Sequence, residues 1–216
     1  MNLVELLAEG QRSLADASGR VYGVVSGVVT DNKDPDGLGR IKVRLPWLAD
    51  DAELPWARIA TPMAGPDRGL FFLPEVDDEV LVAFEHGVTD VAYVLGALWN
   101  GKDKPPEANA DGNNDRRLIA SRSGMRVLLD DASGAEKIVL ADKNGDLSIT
   151  IDVPGKKVVV TSNGDIEISA ANGTVTISGQ NVKLSSSSGT EIKATGSLDL
   201  GGNTVNIKGQ PMVNIN

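Results

Sequence analysis

Few residues in this chain have the type and spacing for chemistry, and most are carboxylates in turn-like stretches. Asn32-Lys33-Asp34-Pro35-Asp36-Gly37 puts oxygen-bearing side chains at alternate positions ahead of a glycine, as a calcium loop would. The acid that should close such a loop falls on Val43, so an ordinary β-turn is the better reading. Asp77-Asp78-Glu79 and Asp130-Asp131 would be candidates for paired acids, yet adjacent carboxylates in turns are usually solvated. The single histidine, His86, would have to serve any catalytic triad by itself, Gly-x-Ser-x-Gly is absent and there is no cysteine. His86 is expected at a turn or an interface. No catalytic, cofactor-binding or metal-ligating residue is assigned, and no enzymatic activity is expected.

The composition narrows the partners. With a net charge of −9 the chain repels phosphate backbones and anionic surfaces, so nucleic acid is excluded as a partner. Trp47, Trp56 and Trp99 read as core or inter-subunit packing, and Arg40, Arg44 and Arg58 as salt links between subunits or a solvated strand face. Aromatics make up 4% of residues while glycine numbers 24, a balance that favours strands and turns. The first residues lack the basic and apolar stretches of a signal peptide or membrane span.

Four segments follow along the chain. Residues 1–20 form an N-terminal helical segment: Leu3, Leu6, Leu7 and Leu14 sit near helical spacing over 2–16, and Asn2 with Glu5 reads as a capping box. Residues 21–100 hold strands at 24–30, 39–45, 57–60, 70–73, 79–84 and 91–98, divided by turns, which suggests a small closed barrel. Residues 101–117 are a polar, Pro- and Gly-rich linker. Residues 118–216 begin with two turn-bounded strand pairs and settle after Gly145 into short repeats punctuated by Gly or Asn.

Most repeats offer two aliphatic residues spaced two apart, with polar residues between them and around them. The inward set is Ile166 and Ile168, Val175 and Ile177, Val182 and Leu184, Leu198 and Leu200, Val205 and Ile207, with Val213 and Ile215 at the end. Such a strand gains roughly 3 to 6 kcal/mol from burying its pair and cannot stand alone. A single-chain solenoid needs coils of roughly twenty residues or more, and these units are too short and uniform to enclose a wide interior. A narrow prism of three chains fits them better. The fold class expected is all-β: an OB-like barrel followed by an intertwined, triple-stranded β-helix.

Several stretches carry a family resemblance: GVVTDNKDPDGLGRIKVRLPW (27–47), PWARI (55–59), LPEVDDEVLVAFE (73–85), VLGALWNG (94–101) and IASRSGMRVLLDD (119–131). In these the chain resembles the central spike proteins of contractile phage tails, the baseplate assembly protein V or VgrG-like family. The family's relatives work in type VI secretion and extracellular injection particles. The resemblance implies an OB-fold barrel, a homotrimeric β-helical needle and a structural, envelope-piercing function. It also implies a separate hub protein, because no hub domain precedes the barrel. A PAAR-type tip protein would cap the end at Gln210, Pro211, Met212, Val213, Asn214, Ile215 and Asn216, since no histidine pair is there to hold a metal. Assembly would occur in the bacterial cytoplasm, and the product would be a baseplate component of a virion or extracellular particle. A trimeric carbohydrate-binding fibre or adhesin is the alternative, although residues 145–216 contain no aromatic side chain.

Overall fold

The computed structural model describes residues 19–49, 52–210, 212 and 213. The expected helix over 2–16 lies outside the described residues. Among those described no α-helix occurs, and none is long and apolar enough to cross a membrane. Residues up to Thr161 cluster into one unit and residues from Ser162 into another.

Alternating apolar residues build the first sheet. β1 (Val24–Asp31), β2 (Lys42–Arg44), β3 (Arg58–Ile59), β6 (Glu79–Phe84) and β7 (Ala92–Ala97) pair in the order β2-β1-β6-β7-β3. Period two in β6 sends Val80, Val82 and Phe84 inward, where Val29, Val43 and Val94 meet them. Ile41, Leu45, Leu54, Ala57 and Ala92 complete the core. Each such aliphatic side chain gains about 1.5–3 kcal/mol on burial. The sheet curls until its edges meet, because Ile41 pairs with Ala57 and Arg44 with Glu53 beyond the strands proper. That curl is what an OB barrel requires.

Between β3 and β6 the expected strand at 70–73 is replaced by a two-residue hairpin, β4 (Ala64–Gly65) with β5 (Arg68–Gly69), and irregular chain up to Asp78. Pairing stops at Leu70, whose N–H reaches the Met63 carbonyl at 3.0 Å, and Pro74 has no N–H to donate. The barrel strands expected at 24–30, 39–45, 57–60 and 91–98 shift at their ends only, by one to three residues, and β6 lies at 79–84 as expected.

A second sheet is a simple meander. β8 (Arg116–Ala120), β9 (Arg126–Asp130), β10 (Lys137–Ala141), β11 (Leu147–Asp152) and β12 (Lys157–Ser162) lie in sequence order, joined by turns of four to six residues. Carboxylates build two of these turns. Asp142 accepts N–H bonds from Leu147 and Asn144, and Asp152 accepts one from Gly155. Those backbone donors hold both carboxyls below the usual carboxylate range.

Register within this sheet is fixed by a charged row on one face. Arg116, Asp130, Lys137 and Asp152 stand directly opposite one another on successive strands, and Lys157 reaches Asp152 at 3.4 Å. Asp130 is buried between Arg116 at 3.6 Å and Lys137 at 3.8 Å, and it also accepts the Ala132 N–H. A slip of two residues would set Asp130 against an apolar neighbour and strand a buried charge.

One close approach in the barrel depends on a missing side chain. A Cβ at Gly27 would meet the Val43 side chain, the Arg44 carbonyl at 3.1 Å and Leu45 Cδ2 at 3.2 Å. Gly27→Ala is therefore expected to cost about 1–3 kcal/mol through overpacking, read as a lowered melting temperature, whereas Gly96→Ala, which meets nothing within 4 Å, is expected to shift it far less.

Candidate functional site

The acids singled out in the sequence prove to be occupied by their own surroundings. Gly37 N–H closes a turn on the Asp34 carbonyl at 3.1 Å. The Asp34 carboxylate accepts the backbone N–H groups of Asp36, Leu38 and Arg40, and the Arg40 guanidinium grips it from Nε at 2.9 Å and Nη2 at 2.7 Å. Asp36 takes a further bond from Arg40, so this stretch is an arginine-locked turn. The guanidinium, above all, holds the Asp34 carboxyl well below the usual range. Arg40 and Lys42 also stand over Trp56, at 6.0 and 5.7 Å, and Lys42 pairs with Glu53 at 2.7 Å.

The other candidates are equally local. Asp78 accepts the Glu75 N–H in its own turn, while Asp77 sits at φ 75° and donates its N–H to the Val29 carbonyl. Asp131 pairs with Arg117 at 2.6 Å. His86 occupies the short turn between β6 and β7, exposed, at φ 49°. Arg58 stacks 4.7 Å above Tyr93 and donates to its hydroxyl, which donates to Glu85; that bond raises the Tyr93 pKa. Trp47 and Trp99 are exposed, as are Leu38, Met63, Leu70, Phe71 and Phe72 on the barrel. Among the described residues no group of three His, Cys, Asp or Glu side chains is placed to hold a metal ion.

What the fold does offer is apolar surface that the described residues leave uncovered. On the second sheet, Leu129, Ile138 and Ile151 form one cross-strand row, and Ile119, Val127, Leu140 and Ile149 form the next. Alternation from Lys157 brings Val158 and Val160 of β12 to the same face. All nine are 37–65% exposed, although they are the residue types that favour interiors.

Beyond β12 the chain runs as six-residue segments with no regular secondary structure, 165–170, 174–179, 181–186, 189–194, 197–202 and 204–209, separated by bends or turns. Positions two and four of each segment are Ile166 and Ile168, Val175 and Ile177, Val182 and Leu184, Thr190 and Ile192, Leu198 and Leu200, Val205 and Ile207. The aliphatic members are 49–73% exposed. Among the described residues no strand pairing joins these segments; bonds form at the bends, such as Gly173 N–H to Ala170 and Ser186 Oγ to the Gly189 carbonyl. Of the expected tip contacts, Gln210, Met212 and Val213 are exposed, and Pro211, Asn214, Ile215 and Asn216 lie outside the described residues.

Two features escape a reading of the sequence alone. Thr190 with Ile192 completes the series, hidden because a threonine stands where the other segments carry an aliphatic residue. The second sheet's apolar face is masked by uninterrupted runs such as Val127-Leu128-Leu129, where the middle residue faces the other way.

Residues 25–99 match the family described as the type VI secretion system and phage-baseplate injector OB domain. The match spans β1 to β7, the sheet that curls onto itself. This stretch is similar to the injector OB domain. Among curated relatives, the type VI secretion system spike protein VgrG1b of Pseudomonas aeruginosa is 27% identical over 132 residues, covering 54% of this chain and 17% of the relative. VgrG2a of the same organism is 34% identical over 80 residues, covering 35% of this chain and 10% of the relative. VgrG1a is 27% identical over 126 residues, 51% of this chain and 19% of the relative. The chain thus spans less than a fifth of each of these proteins' length.

Within the stretch that matches the injector OB domain, the Asp34 latch carries a pH signature. Its folded pKa is depressed, so its stabilising effect is present above the unfolded value of about 3.9 and is lost as pH falls toward the folded value. Asp34→Asn is expected to lower the melting temperature at pH 7 and to show a smaller further loss than the parent between about pH 4 and pH 2.

Proposed function

We propose that this chain is the central spike of a contractile injection machine, a homotrimer in which the injector OB domain carries a piercing needle. One observation carries the proposal: six consecutive segments repeat one two-position pattern, apolar at both positions in five of them and Thr190 with Ile192 in the sixth, while making no strand pairing among the described residues. Ordering six residues costs on the order of 6–12 kcal/mol, and burying two aliphatic side chains returns about 3–6 kcal/mol. The remainder must come from backbone bonds and packing supplied by other chains. The similarity to spike proteins supports copies of the same chain as those partners.

In this reading residues 1–20 precede a barrel at 21–100, 101–117 link it, and 118–216 form the needle. Beyond Ser162 the three chains wind as an intertwined β-helix. Its core is Ile166, Ile168, Val175, Ile177, Val182, Leu184, Leu198, Leu200, Val205 and Ile207, to which Thr190 and Ile192 are added here. Stacking about 4.8 Å per strand would make the repeat region roughly 40 Å long. Its polar outer residues suit a shaft that moves through water and a target envelope.

A separate hub protein would hold the barrels, and a PAAR-type tip protein would cap Gln210, Pro211, Met212, Val213, Asn214, Ile215 and Asn216. The spike would be built in the bacterial cytoplasm into the baseplate of a virion or injection particle. Its contribution is shape and stiffness, with no turnover.

The native mass of the purified full-length chain tests the proposal. Three times 22.6 kDa is expected, at concentrations down to the micromolar range. A stable monomer would remove the three-chain needle and the piercing role with it.

A further inference from the structure

We propose that the apolar face of the second sheet is the seam at which three copies of this chain first meet, setting the register before residues 162–213 wind. The inference rests on the trimeric reading above and goes beyond it by naming the surface and the order of assembly.

The face is preformed in one chain. β8 to β12 pair with sequence neighbours through short turns, so closing them costs little loop entropy and requires no partner. The cross-strand charges of Arg116, Asp130, Lys137, Asp152 and Lys157 fix its register from the opposite face. The segments beyond Ser162 have no such local solution. For them to start assembly, three unpaired chains would have to meet in register at once.

Size and pattern identify the occupant. The nine side chains from Ile119 to Val160 expose on the order of 700 Å² of apolar surface. That exceeds the roughly 300–600 Å² of the largest patch on a typical monomer and approaches the ~800 Å² per partner of a standard interface. Apolar residues spaced two apart, a pair in each of β9, β10 and β12 and the run Leu147, Ile149 and Ile151 in β11, also match the pattern of the needle segments that follow. A partner that buries the pairs in the needle is therefore built to bury those in the sheet, and that partner is another copy of the chain. Once three faces are joined, the segments from 165 onward are tethered side by side. Their pairing becomes intramolecular, at an effective concentration in the millimolar range.

Refolding of the full-length chain from denaturant separates the steps. Samples are split between chemical cross-linking, to read mass, and a trypsin pulse, to read accessibility after Lys183, Lys193 and Lys208. Trimers are expected while those three sites are still cut, with protection following later. Protection that arrives together with the trimer, or before it, would overturn the seam and leave the trimeric needle standing. No trimer at any time would overturn both. Two variants check the surface itself: Leu140→Lys is expected to slow trimer formation at least tenfold, and Ser148→Lys, on the opposite face, to stay within about twofold. Equal rates for the two would also overturn the seam.

Discussion

A β-strand carrying two aliphatic side chains cannot be stable alone, because its backbone groups need partners and its apolar pair needs a cover. This constraint acts on every part of the chain and is met differently in each. In the barrel it is met by closure: the sheet curls until Ile41 meets Ala57, and Val29, Val43, Val80, Val82 and Val94 share one interior. In the meander the backbone is paired but one face is left bare. In the segments from 165 onward neither need is met among the described residues. The order along the sequence is thus a gradient from a closed core to segments left open, and the proposed trimer would supply what they lack.

The polar chemistry follows the same logic. Carboxylates that might have been catalytic or metal-binding serve as local fasteners: Asp34 ties a long turn to Arg40, Asp142 and Asp152 shape hairpins, and Asp130 locks a register. Each is spent on backbone N–H groups or a neighbouring cation. Such fasteners hold turns whose side chains contribute little to a core. The locked turn around Asp34 and the Trp56 that Arg40 and Lys42 cover belong to the stretch that matches the injector OB domain.

Much of this was legible in the sequence because period-two alternation and Gly or Asn punctuation are physical requirements of short strands. β6 could be read from Glu79-Val-Leu-Val-Ala-Phe84, and the apolar pairs of the repeat could be listed directly. The strand expected at 70–73 failed because Leu70, Phe71, Phe72 and Leu73 look like a buried strand, while the hairpin pairing ends at Leu70 and Pro74 has no N–H to donate. The meander face was hidden because runs such as Val127-Leu128-Leu129 are apolar on both sides, so only the register separates the faces. Thr190 is invisible to hydrophobicity, although a β-branched polar residue can hold the same position.

The central claim is that the backbone of residues 165–209 is hydrogen-bonded between chains. Amide hydrogen exchange over those residues in the purified full-length protein tests it most directly. Exchange slowed by several orders of magnitude, and lost when the assembly is dissociated, is the predicted result. Exchange at the rates of an unstructured peptide in the intact protein would contradict it.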